Sequence, residues 1–170
     1  MISILDLGGV SFAAPFVFLS TWFGAGLVEP LRAGLAVATV VPLAAWLSRN
    51  GGMLPIGSAL FALFAAGAWS AFAMEGATGL KDDRRIVIDE VAGYLAAVAA
   101  MLAARVQALW PRLLVLAAAF LALDRLKPWP LPAIEQWPGG IGVMADDIAA
   151  GIAIGLIMAV AVRFLRYRPI

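Results

Sequence analysis

The sequence predicts an all-α protein: a multi-helix integral membrane bundle with short helices and a carboxylate-lined site at one membrane face. Three observations lead there. Of 170 residues, 64% are hydrophobic and 14% charged, whereas about a quarter of a soluble domain is charged. Such a chain has too little polar surface to cover a globule in water, and the bilayer is its natural solvent. The apolar residues fall into long runs broken by Gly, Pro and charge, with no extended alternation of the kind strands need. The acids gather at the ends of those runs. One domain, residues 1–170, suits this length.

The segments follow in order. Residues 10–23 are apolar and aromatic with Pro15 inside, and suit a short interfacial or re-entrant helix. Gly24-Ala25-Gly26 breaks that pattern, and Glu29, Pro30 and Arg32 make a polar turn. Residues 33–48 form an apolar helix stopped by Arg49-Asn50-Gly51-Gly52. Residues 54–74 form a second, long enough to span. The stretch 75–85 is the most polar loop. Residues 86–104 form a third helix, opened by Asp89-Glu90. Residues 105–112, with Pro111, connect to a fourth at 113–124. The Pro- and Gly-rich stretch 128–142 cannot be one helix. The last helix covers 146–165, opened by Asp146-Asp147 and closed by Arg163, Arg166 and Arg168. Several runs fall short of the roughly 20 residues of a clean crossing, so thin or partly submerged helices are expected. The six Trp suit interfacial anchoring, with Trp129 and Trp137 flanking the polar stretch.

If the five runs from residue 33 onward alternate across the membrane, ten of the eleven acids share one side. These are Glu29, Glu75, Asp82, Asp83, Asp89, Glu90, Asp124, Glu135, Asp146 and Asp147; only Asp6 is unplaced. The basic residues divide evenly, so charge alone sets no orientation. Acids near the ends of apolar helices are costly to desolvate unless they are paired or bind a cation. A carboxylate cluster facing Lys127 and arginines suits a divalent metal together with an anionic substrate.

The chain has neither Cys nor His. Cys and His nucleophiles and Cys/His zinc sites are therefore excluded within it. A metal would meet oxygen ligands, which favours Mg²⁺, Mn²⁺ or Ca²⁺. The net charge is +1, and no basic stripe points to nucleic acid. With Asp6 before the first apolar run and no small-residue cleavage site after it, a cleaved signal peptide is not expected.

Three strings carry the chemistry, and each has a plainer explanation. Asp89-Glu90-x-x-Gly93 opens a helix; acids in a first turn also merely offset the helix dipole. Asp124-x-x-Lys127-Pro-Trp-Pro places acid and base three apart, which also describes a local ion pair before a proline stop. Gly139-Gly140-x-Gly142-x-Met144-x-Asp146-Asp147-x-x-x-Gly151 reads as a glycine loop entering a helix N-terminus. Its amides could cradle an anion, or the acids could simply cap. Adjacent acids lie about 100° apart on a helix, so Asp146 and Asp147 must point differently. Lys81-Asp82-Asp83 could be only a solvated loop.

Together, Lys81-Asp82, Ile86-Val87-Ile88-Asp89-Glu90-x-x-Gly93, Asp124-x-x-Lys127-Pro128-x-Pro130 and the glycine–aspartate string resemble the phosphatidylglycerophosphatase A family, over roughly residues 81–155. The resemblance implies a Mg²⁺-dependent phosphatase, multi-pass in the bacterial inner membrane with its site towards the cytoplasm. It would convert the phospholipid phosphatidylglycerophosphate to phosphatidylglycerol. By match, Asp89, Glu90, Asp124, Lys127, Asp146 and Asp147 would form the catalytic set. Asp82 and the same five carboxylates are the metal-ligand candidates. Lys127, Arg32, Lys81, Gly139 and Gly140 are candidates for the phosphate or headgroup. A homo-oligomer is compatible with such a chain. After Phe23-Gly24-x-Gly26-Leu27 the family has a Pro-Gly-Thr-x-Gly-Ser string, where this chain reads Arg32-Ala33-Gly34-Leu35-Ala36-Val37. The divergence over 28–38 leaves three outcomes open: altered specificity, substitution by Arg32, or lost activity.

Two other classes compete. A small ion- or proton-coupled transporter could use the acids, although they gather at one end and do not thread the span. A non-catalytic relative could bind lipid or metal without turnover. A CDP-alcohol phosphotransferase is disfavoured, because its Asp-Gly-x-x-Ala-Arg signature is missing.

Overall fold

The computed structural model describes residues 3–4 and 9–166; Asp6 and Arg168 lie outside them. Among the described residues, seven α-helices account for most of the chain: α1 (Pro15–Ser20), α2 (Arg32–Asn50), α3 (Met53–Thr78), α4 (Ile88–Ala103), α5 (Trp110–Leu126), α6 (Leu131–Glu135) and α7 (Gly140–Arg166). Two two-residue strands, β1 (Ser3–Ile4) and β2 (Val28–Glu29), pair antiparallel.

Local chemistry sets several boundaries. Gly79 ends α3 in the left-handed region, with its amide donating to the Glu75 carbonyl at 2.8 Å. Pro111 sits in the first turn of α5 and not in the preceding connection, a position where its missing N–H has no partner to lose. The largest departure from expectation is α7. It begins at Gly140, six residues before Asp146, so the acids lie in its second turn and do not cap it. Its glycines serve packing. A Cβ on Gly140 would strike the Ala68 carbonyl, and one on Gly142 would strike the Glu135 carbonyl. Small residues here let α7 press against α3 and α6.

Helix α4 is the centre of the bundle, buried along nearly all of residues 88–98. It packs most heavily on α7, and the two run side by side in the same direction. A Cβ on Gly151 would collide with the Gly93 carbonyl, and one on Gly155 with the Ala97 carbonyl. Near their far ends, Arg163 donates to the Ala104 carbonyl at 2.5 Å. Small residues four apart on both partners bring the backbones into contact, the arrangement by which helices associate tightly in lipid. Tyr94 reaches across from α4 to donate to the Leu113 carbonyl of α5 at 3.2 Å.

Two helices, Met53–Thr78 and Gly140–Leu165, are long and apolar enough to cross a membrane. Their outer faces expose large apolar groups, including Phe61, Trp69 and Phe72 on α3 and Ile157 and Val160 on α7. Helices α4 and α5, of 16 and 17 residues, are short.

Candidate active site

The starts of α2 and α4, the end of α5, the second turn of α7 and the α3–α4 loop meet around one pocket of about 410 Å³. Its lining includes Asp82, Asp89, Glu90, Asp124, Lys127 and Asp147, together with Arg32, Arg84 and Arg125. The acids that the sequence distributes over three junctions thus converge at one end of the bundle.

At the pocket floor, Asp89 and Glu90 from α4 meet Asp147 from α7. One carboxylate oxygen from each lies within 4.8 Å of the others, and all three side chains are buried. Asp89 Oδ1, Glu90 Oε2 and Asp147 Oδ2 are enclosed and meet no hydrogen-bond donor among the described residues. Three ionisable oxygens crowded together without a donor or counter-charge are very costly to bury unless a cation joins them. The donor set is all oxygen, which suits a hard divalent ion. The three residues therefore fit a metal.

Asp146 behaves differently from its neighbour. Its buried Oδ2 has the Lys127 ammonium 2.9 Å away. Lys127 also meets Glu135 at 3.0 Å and Asp82 at 3.8 Å. The plainer explanation of this string, a local ion pair between Lys127 and Asp124 three residues before it, has no counterpart among the described residues. Lys127 caps α5 with φ 39°, outside helical geometry, so helical i, i+3 proximity no longer applies. Burial lowers its basicity, but Asp146 and Glu135 more than compensate, so its pKa is raised and it stays charged. Lys127 ties acids together across three elements; its charge is already taken up by carboxylates.

The loop 80–87 is not merely solvated. Asp83 is 1% exposed. Its carboxylate accepts from the Arg85 backbone N–H at 3.0 Å and from Arg85 Nε at 2.8 Å, and a second guanidinium nitrogen pairs with its other oxygen. Burial pushes its pKa up, yet these bonds and the guanidinium charge prevail and hold it below the ordinary value. The Val87 amide donates to the Ser20 carbonyl at 2.8 Å, and a Cβ on Gly26 would overlap the Arg85 carbonyl, so the loop is docked on the end of α1 and the chain that follows it. That docking carries Asp82 into the pocket. Burial raises the Asp82 pKa; Lys127 opposes this, and Glu135 and Asp124 add to it.

The other expected site residues divide between the pocket and its surroundings. Asp82, Asp124 and Asp146 stand outside the three-carboxylate group, although Asp82 and Asp124 line the pocket. Lys81 does not line it. Gly139 and Gly140 lie in the α3–α7 seam, with Phe72 3.2 Å from where a Cβ on Gly139 would be, and neither lines the pocket. Arg32 is at the rim, where Glu29 holds it at 2.9 Å and also approaches Arg84 at 3.5 Å. Sequence reasoning missed Arg84 and Arg125, which carry no motif and reach the pocket only through the fold.

A model of the family described as "Phosphatidylglycerophosphatase A" matches residues 18–162. A protein of Bacteroides thetaiotaomicron named "Putative phosphatidylinositol-3-phosphatase" is 33% identical over 150 residues, covering 85% of this chain and 92% of its own. No solved structure matches. The match takes in every element that builds the pocket, from the turn before α2 to the second turn of α7, and on that ground the chain belongs to the phosphatidylglycerophosphatase A family.

Proposed function

We propose that this chain is a Mg²⁺-dependent phosphoric monoester hydrolase that converts phosphatidylglycerophosphate to phosphatidylglycerol. The observation that carries the reading is the trio of buried carboxylates, each with one oxygen that meets no donor among the described residues, beside pocket-lining arginines. Asp89, Glu90 and Asp147 would hold the divalent ion, which when bound polarises the phosphoryl group and acidifies water. Arg32 and Arg84, poised by Glu29, receive the terminal phosphate. Asp124 lines the pocket with no ion pair among the described residues, and is the carboxylate placed to take a proton from the attacking water. The water oxygen bonds to phosphorus, the bond from phosphorus to the glycerol oxygen breaks, and that oxygen leaves as an alcohol after protonation. Lys127 keeps Asp82, Glu135 and Asp146 in register around the pocket.

In this reading the two long apolar helices flank shorter α2, α4 and α5 in a multi-pass bundle of a bacterial cytoplasmic membrane. The carboxylate end faces the cytoplasm, where it meets its phospholipid substrate. A second reading keeps the chemistry and changes the headgroup. It is favoured by Arg32, which stands where the family has a hydroxyl-bearing string, and by the name of the Bacteroides relative. Phosphate release from phosphatidylglycerophosphate and from phosphatidylinositol 3-phosphate, by protein in lipid with Mg²⁺ or with chelator, separates the two. Release from the first alone supports the main reading, and release from the second alone the other. Full activity in chelator, or no release from either by folded protein, would sink the hydrolase assignment as stated.

A further inference from the structure

We propose that the lipid substrate enters sideways between α2 and α5, laying its acyl-bearing part in a groove that opens from the carboxylate pocket to the bundle surface. The inference rests on the lipid-phosphatase reading and adds where the rest of the lipid lies. The groove, about 780 Å³, runs between the first turn of α2 and the last turns of α5. It shares Pro30, Ala33, Asp124 and Arg125 with the carboxylate pocket, so the two adjoin along those residues. The character changes along it: the pocket is ringed by charge, whereas beyond Asp124 and Arg125 the groove is apolar.

Three features select an acyl lipid as the occupant. Gly34, Ala118 and Ala122 line the groove and are exposed, so small side chains keep α2 and α5 from closing over it. A Cβ on Gly34 would meet open space, so this glycine is not there to let another element pack close. Leu31 and Leu126, 46% and 79% exposed, flank the mouth with apolar surface. Arg125 stands where groove and pocket join and makes no ion pair among the described residues. A phosphatidyl lipid with a terminal phosphomonoester carries its inner phosphodiester between the acylated glycerol and the reacting group, and Arg125 matches that position in charge and order. The terminal phosphate then lies over Asp89, Glu90 and Asp147, the phosphodiester beside Arg125, and the acyl-bearing glycerol along Gly34 and Ala122.

The test compares dioleoyl phosphatidylglycerophosphate with its water-soluble deacylated counterpart, using full-length protein in mixed micelles. Gly34→Leu and Ala122→Leu fill the groove at positions that do not themselves line the pocket. Gly57→Leu on α3, where an added Cβ likewise meets open space, is the control. Each groove variant is expected to raise KM for the diacyl lipid about tenfold while leaving kcat/KM for the deacylated compound unchanged. The control changes neither. Groove variants that match wild type on the diacyl lipid, or that lose both substrates equally while still folded, would overturn the groove and leave the phosphatase reading standing. Failure of wild type to release phosphate from either compound would overturn both.

Discussion

The Lys127 ammonium stands 2.9 Å from Asp146 Oδ2 and 3.0 Å from Glu135 Oε2, so one side chain from the end of α5 fastens α6 and α7. Asp146 is 2% exposed and has no other cation within ion-pair distance among the described residues. Lys127→Met is expected to destabilise the protein by roughly 2–4 kcal/mol, at or below the usual loss for an orphaned buried charge because Lys127 is partly exposed. Adding Asp146→Asn to that variant should restore part of the loss. Thermal unfolding in detergent checks both, and an unchanged Lys127→Met would refute the fastening role.

Neutralising one member of the carboxylate trio should separate stability from activity. Asp147→Asn removes mutual repulsion at the pocket floor, so in chelator its Tm is expected to equal or exceed that of wild type. With divalent ion present, phosphate release should fall on the order of 100-fold or more, and the stabilisation by added metal should shrink. If the trio were only structural, Tm would drop in chelator and the metal response would persist.

Acid should unfasten the α3–α4 loop through Asp83. Its folded pKa lies below the ordinary 3.8, so the ionised form is favoured by folding. The resulting stability is present in full above the unfolded value and is lost as pH falls through the folded one. Asp83→Asn is expected to cost about 1.5–3 kcal/mol at neutral pH, as for hydrogen bonds to charged groups. The gap between variant and wild type should close as pH falls below 3.8. A gap independent of pH would contradict this.

Gly151→Ala should lower Tm and activity together, because its Cβ would overlap the Gly93 carbonyl and must push α7 off α4. Gly57→Ala, which meets open space, should leave activity alone and stabilise by up to about 1 kcal/mol through helix propensity. Loss of function in both, or in neither, would break the link between this seam and the site.

These residues also show what a sequence can disclose. The start of α4 was legible because Asp89-Glu90 follows a polar loop and precedes a long apolar run, and acids favour a first turn. The start of α7 was not. Gly139-Gly140-x-Gly142 disfavours helix by propensity, and only the nearby carbonyls of Ala68 and Glu135 explain why glycine is needed inside one. The convergence of acids was suggested by their places at the ends of the apolar runs. Which acids would meet was not, since the 100° step between Asp146 and Asp147 separates them without saying which faces α4. The partners of Lys127 were hidden by a single residue leaving helical geometry. Arg84 follows Lys81-Asp82-Asp83 and Arg125 fills an unspecified position of Asp124-x-x-Lys127, and only tertiary structure brings them to the rim.

The α4–α7 seam has one more consequence. Asp89 is four residues before Gly93, and Asp147 four before Gly151, so each acid stands one helical turn above the glycine at which the backbones touch. The separation of the two main-chain positions that carry these carboxylates is therefore set by backbone contact, and side-chain rotamers adjust only what remains. The seam works as a calliper: its jaws are the acids, and its setting is the thickness of two glycines.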